Sequence, residues 1–149
     1  MPLARLDHYS IRTARLEETR RFYAEVMGLA EGERPPFPFP GAWMYRDGQA
    51  VVHIVGIDPK DPEGLKAYLG EKGMDSAPGT GTIDHVAFTA TGLADMHARL
   101  RAHGLPWRDR TVPSLGLHQV FVEDPNGVTI ELNFPYAESP EAGEPAAQA

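Results

Sequence analysis

Four residues combine a metal-ligand type with a matched spacing. His8 and His85 each close the same tripeptide pattern, an apolar residue followed by Asp-His: Leu6-Asp7-His8, and 77 residues later Ile83-Asp84-His85. His53 lies 45 residues after His8, and Glu131 lies 46 residues after His85. Imidazole nitrogen and carboxylate oxygen are donors for iron, manganese, nickel or zinc, and two histidines with one carboxylate leave coordination positions open to a substrate. An open divalent ion polarises substrate oxygens and stabilises enolate-like charge, which serves isomerisation, lyase reactions and ring cleavage alike. The spacing therefore points to a metal site without selecting its reaction.

These residues need strands to hold them, and the chain supplies strands in two echoing halves. After each Asp-His comes an alternating apolar and polar stretch, then a segment with helical apolar spacing that ends in Gly-Leu: RLEETRRFYAEVMGL up to Leu29 and LADMHARLRAHGL up to Leu105. A glycine there stops a helix by entering the left-handed region. Each half then offers a hairpin. Asp47-Gly48 separates two apolar runs in AWMYRDGQAVVHIVG, and Asp124-Pro125-Asn126-Gly127 does so in LHQVFVEDPNGVTIELNF. Short strands are expected before the hairpins, near 31–35 and 106–111. Each half then reads βαβββ, with module 1 at 5–56, a connector at 57–82 holding a short helix near 63–71, and module 2 at 83–134. PPFPFPG at 35–41 must be a loop, because proline cannot donate to a strand ladder. Residues 1–136 are expected to form one domain, and the core-poor tail 137–149 to be disordered.

Strand side chains alternate between faces. Val86 and Phe88, and Val128, Ile130, Leu132 and Phe134, form apolar sets that should meet the helices. His8, His85, Glu131 and Asn133 then share the opposite face, and His53 likewise opposes Val52 and Ile54. Counting back from a four-residue turn at 124–127 pairs Val120 with Glu131 and His118 with Asn133. His118 thereby becomes a candidate acid/base beside Glu131, with an ordinary pKa suited to neutral pH. Asn133 is a candidate substrate contact. Trp43, with Tyr45, Phe37 and Phe39, is a candidate wall for an apolar pocket. His97 and His103 fall in the second helix, and a surface position is expected for both.

The composition narrows the function classes. With 149 residues, 42% of them hydrophobic, the chain is large enough for a real core. Zero cysteines exclude disulfides, a thiolate nucleophile and cysteine-ligated zinc. A net charge of −7 argues against nucleic-acid binding, which needs basic clusters. No run is long and apolar enough for a membrane span, and MPLARLDHYS has no apolar stretch of a secretory signal, so a cytoplasmic protein is expected.

The duplicated module with its LDH and IDH openings, FYAEVMGL, and above all FVEDPNGVTIEL resemble the vicinal oxygen chelate superfamily over residues 5–134. That group includes glyoxalase I, extradiol dioxygenases, fosfomycin-resistance transferases, methylmalonyl-CoA epimerase and bleomycin-binding proteins. The resemblance implies an α+β fold in which two βαβββ modules, in pseudo-twofold repeat, form a cup-shaped mixed sheet with helices outside and a divalent metal within. It implies metal ligation by His8, His85 and Glu131, with Glu131 also catalytic. His53 occupies the place where glyoxalase I carries a glutamate ligand. The implied activity is a metal-dependent glyoxalase-like lyase or isomerase on a small organic substrate chelated through oxygens. An extradiol-type dioxygenase and a metal-free drug-binding protein of the bleomycin-resistance type are the alternatives. Paired-module members of this family commonly form homodimers, and a homodimer is expected here.

Overall fold

The computed structural model describes residues 3–70 and 77–143. The fold is α+β, and the described residues form two four-stranded mixed sheets and three α-helices. The chain divides into two compact units, Met1–Ala77 and Pro78–Ala149, so the boundary falls inside the expected connector. The stretch 71–76 of that connector lies outside the described residues.

In the first unit, β1 (Tyr9–Thr13) leads to α1 (Leu16–Arg21), then to β2 (Ala30–Gly32), β3 (Gly41–Arg46) and β4 (Gln49–Gly56). The helix widens into a π-helical turn over Phe22–Val26 before Gly28 ends it at φ 77°. The strand order is β1-β4-β3-β2, with β1 parallel to β4 and the other pairs antiparallel. Asp47 and Gly48 both have positive φ, 51° and 77°, the two-residue turn whose twist matches a hairpin. One face of this sheet is the core: Ile11, Met44, Val52 and Ile54 are buried with Phe22, Tyr23 and Val26 of the helical segment. The Tyr9 and Tyr23 hydroxyls meet at 3.1 Å across that packing.

The 35–40 segment is a loop, as its prolines require. Its Phe39 is buried with Val55 and with Leu65 of α2 (Glu63–Leu69). A Cβ on Gly64 would stand 1.9 Å from the Pro38 carbonyl oxygen, so only glycine lets α2 approach the loop this closely.

The second unit repeats the order with β5 (Val86–Thr89), α3 (Leu93–Ala102), β6 (Arg108–Val112), β7 (Leu117–Glu123) and β8 (Thr129–Pro135). Its strand order is β5-β8-β7-β6, again with a parallel first and last strand. Val120, Val122, Ile130, Leu132 and Phe134 are buried, and α3 contributes Leu93 and Leu100. Each fully buried side chain of this kind contributes on the order of 1.5–3 kcal/mol.

Two expectations are corrected here. His8 and His85 sit one residue ahead of their strands rather than inside them. The segment expected to be disordered from 137 instead forms two 3-10 turns, Tyr136–Glu138 and Pro140–Gly143. Polar anchors hold it where apolar ones are scarce. Glu138 Oε1 accepts the N–H groups of Gly92 (2.7 Å) and Leu93 (3.0 Å), capping α3 from outside, and Ser139 is buried. Residues 144–149 lie outside the described residues.

Candidate metal and substrate site

Each Asp-His pair is built the same way. His8 Nδ1 meets Asp7 Oδ2 at 2.6 Å, and His85 Nδ1 meets Asp84 Oδ2 at 2.7 Å. An ionised carboxylate only accepts, so each ring donates from Nδ1, and the neutral imidazole presents the Nε2 lone pair. This is the orientation a carboxylate imposes on a metal-binding histidine. The hydrogen bond from His8 holds the Asp7 carboxyl below its ordinary value. The bond to Asp84 raises the His85 pKa; partial burial opposes it, and the charges of Glu131 and Asp84 add to the rise.

In the second unit, Ala87 pairs with Glu131, and parity places His85 on the Glu131 face. His85 Nε2 lies 3.6 Å from Glu131 Oε1. That is too long for a hydrogen bond but fits two donors sharing one ion. The other oxygen, Glu131 Oε2, accepts from Asn133 Nδ2 at 2.9 Å, and Asn133 Oδ1 accepts from Gln119 Nε2 at 3.0 Å. This amide chain fixes the carboxylate and leaves Oε1 directed at His85. Within the second unit the donor set, one oriented ring and one oriented carboxylate, suits a divalent ion.

In the first unit, Trp43 pairs with His53, and Ser10 lies beside it in β1. The His8 and His53 rings stack at 3.6 Å between centroids, and His53 stacks on Trp43 at 3.9 Å. His8, His53 and Trp43 thus form one column on the face away from α1. Burial lowers the His53 pKa and the His8 charge lowers it further, with a backbone bond at Ala50 and the Asp7 charge opposing. Of the aromatic wall expected beside them, Phe37 lies 6.3 Å from Trp43, whereas Phe39 is committed to the core.

His118 does not stand beside Glu131. The partner of Glu131 is Phe121, that of Asn133 is Gln119, and His118 pairs with Phe134. The hairpin loop has three residues, not four. Asp124 N–H donates to Val128 O at 3.0 Å, so Asp124 already belongs to the ladder, and Gly127 takes φ 80°. That single residue flips every side chain of β7 relative to the expectation. His118 therefore shares the helix-facing side with Val120 and Val122 and is buried. There its Nε2 donates to Asp109 Oδ1 at 2.8 Å, and its Nδ1 meets Ser139 Oγ at 2.9 Å.

His97, expected at the surface, is half-buried and also donates to Asp109 Oδ1, at 2.8 Å. Among the described residues one group of three brings possible ligand atoms within 4.8 Å of one another, and it is His97, Asp109 and His118. A signal for His97 was present in the sequence. It lies four residues after Leu93 and three before Leu100, on the buried stripe of α3. Asp109 carried no such signal.

Phe121 meets the His85 ring edge-on at 6.5 Å, and the Arg108 guanidinium lies 4.4 Å over Phe121. A cavity of about 560 Å³ opens beside them, lined among others by Trp107, Arg108, Phe121 and Thr129. It offers an aromatic wall and a cation, and one of its lining residues, Phe121, is the strand partner of Glu131. No helix among the described residues is long and apolar enough to cross a membrane.

Comparison with known proteins agrees with this architecture. "Glyoxylase I 4" of Arabidopsis thaliana is 26% identical over 133 residues, which are 87% of this chain and 70% of that protein. The glyoxylase/bleomycin resistance protein/dioxygenase domain from Frankia sp. EAN1pec superposes with a TM-score of 0.66 at 16% identity, covering 89% of this chain and 98% of that one. The genomically encoded fosfomycin resistance protein of Listeria monocytogenes gives 0.62 at 16% identity, covering 89% and 93%. At those identities the two structures speak to the fold. A family model matches residues 5–132, which carry the repeated βαβββ module, and the chain belongs to the Glyoxalase/Bleomycin resistance protein/Dioxygenase superfamily.

Proposed function

We propose that the protein is a divalent-metal-dependent lyase or isomerase of the glyoxalase type, acting on a small organic substrate that chelates the ion through oxygens. The observation that carries this reading is the His85–Glu131 pair, with each residue oriented by its own hydrogen-bond partner and the two donor atoms 3.6 Å apart. His8 and His53 are the matching ligand candidates of the first module. Iron, manganese, nickel and zinc all accept this donor set. When bound, the ion supplies Lewis-acid stabilisation of negative charge on substrate oxygens.

The chain's own residues do the rest. Asn133 and Gln119 keep Glu131 from swinging away from His85. In the second unit Phe121 offers apolar surface and Arg108 a cation to an oxygen-rich substrate; in the first unit Trp43 is a substrate contact. Asn133 is a substrate contact on the same face. His118, on the other face, has no part in the chemistry.

Protein purified without chelator should contain bound divalent metal and turn over hemithioacetals formed from α-oxoaldehydes and thiols. Glu131→Gln should weaken metal binding more than His53→Ala, because the carboxylate also offsets charge. Ring cleavage of catechols in place of hemithioacetal turnover would move the protein to the dioxygenase class. Full ligand binding after chelation, with no turnover of either substrate class, would sink the enzyme reading.

A further inference from the structure

We infer that the helix-facing side of the second sheet holds a second metal site, formed by His97, Asp109 and His118 and suited to zinc. It lies on the opposite face from Glu131, and its residues come from three different elements, α3, β6 and β7. Two imidazole nitrogens and a carboxylate oxygen are the donor set of zinc sites that keep a position for water. Both Nε2 atoms already converge on one oxygen, Asp109 Oδ1, at 2.8 Å each. Without the ion a proton on each Nε2 bridges that gap; when zinc binds, each proton would shift to Nδ1 of its own ring, so that both rings stay neutral and both Nε2 lone pairs are free for the ion.

The surroundings are those of a ligand set. Trp107 Nε1 donates to Asp109 Oδ2 at 2.8 Å, which fixes the carboxylate through the oxygen that the histidines do not use. The Trp107 ring also stacks on His97, 5.1 Å between centroids at 23°, and limits its swing. His118 Nδ1 meets Ser139 Oγ, and a hydroxyl can either donate or accept. Ser139 therefore donates to Nδ1 while Nε2 carries the proton, and accepts from Nδ1–H once Nε2 binds the ion. A carboxylate there would have allowed only the second arrangement. The site is also reachable: His118 is buried, but the Asp109 side chain is 39% exposed and that of His97 17%. The bland alternative is a hydrogen-bonded cluster that merely ties α3 and the C-terminal turns to the sheet.

The test uses the full-length chain carrying His85→Ala and Glu131→Gln, which removes donors on the other face. Equilibrium dialysis against zinc should still give one ion per chain, with imidazole scattering at the zinc absorption edge. Adding His97→Gln or Asp109→Asn should lower the affinity at least ~100-fold, and Ser139→Ala roughly 10-fold, as loss of an outer partner does. Zinc at ~100 times its Kd should raise the melting temperature by about 5–10 °C, an increase absent in the His97→Gln variant. Both His97 and Asp109 are partly solvent-exposed, and circular dichroism checks that their variants fold. No stoichiometric zinc in the His85→Ala, Glu131→Gln protein, or zinc binding indifferent to a folded His97→Gln variant, would overturn the proposal.

Discussion

Glu131 is positioned by one of its two oxygens, and that oxygen depends on Asn133. Asn133→Ala should lower divalent-metal affinity roughly 10–100-fold with little change in stability, read by metal titration beside thermal melting. An unchanged affinity would mean that the amide chain does not orient the carboxylate. Asp109 makes a different prediction. Burial pushes its carboxyl up, but hydrogen bonds from His118, His97 and Trp107 outweigh that and hold it below its ordinary 3.8. The folded chain then binds this proton less tightly than the unfolded chain does. The stabilisation is complete above about pH 5, and it goes as pH falls through the lowered value. Since Asp109 is 39% exposed, the loss amounts to less than about 1 kcal/mol. In chelator-treated protein, the stability gap between wild type and Asp109→Asn should close below the ordinary carboxylate pKa. A gap that persists to pH 2 would contradict it.

The elements show why some of this was legible in the sequence and some was not. Helix ends and the first hairpin were readable because Gly28, Gly104 and Asp47-Gly48 carry the backbone requirement themselves. So was the face of His53 and of Glu131, because their apolar neighbours alternate strictly around them. The face of His118 was not. It depended on whether Asp124 is a turn residue or a ladder residue, and Asp124 is both. Its backbone joins the ladder while its Oδ1 accepts the Asn126 and Val128 N–H groups, at 2.7 and 2.9 Å. Asp124→Ala should cost about 1–3 kcal/mol, read by chemical denaturation, since it removes the acceptor of the buried Val128 N–H. The order of residues 136–143 was hidden for a related reason. Ser139 and Glu138 find partners 21 and 46 residues away, and no local pattern announces such bonds. Gly64 was equally silent, although Gly64→Ala should force α2 off the Pro38 carbonyl. A measurable loss of thermal stability is expected, and full retention would mean that the loop yields freely.

For the molecule as a whole, each unit carries a sheet whose first strand pairs with its last, and the second sheet carries metal-ligand residue types on both faces: His85 and Glu131 on one, His118 on the other. The chain is expected to associate as a homodimer, since both sheets leave edge strands, β2 and β6 among them. Light scattering at micromolar concentration should give about twice 16.3 kDa, and a single monomeric species would rule the dimer out. The parallel pairing of β1 with β4 and of β5 with β8 also imposes an order on synthesis. As the chain leaves the ribosome, Tyr9–Thr13 must wait unpaired while β2, β3 and the hairpin emerge, a delay of a few seconds at roughly 5–20 residues per second. Only with β4 does His53 arrive to stack on His8. The same wait recurs in the second module, where His85 precedes Glu131. The His8–His53 stack and the His85–Glu131 pair are therefore each assembled at the last step of their own module's translation, and each joins the earliest and latest strand regions of that module to be made.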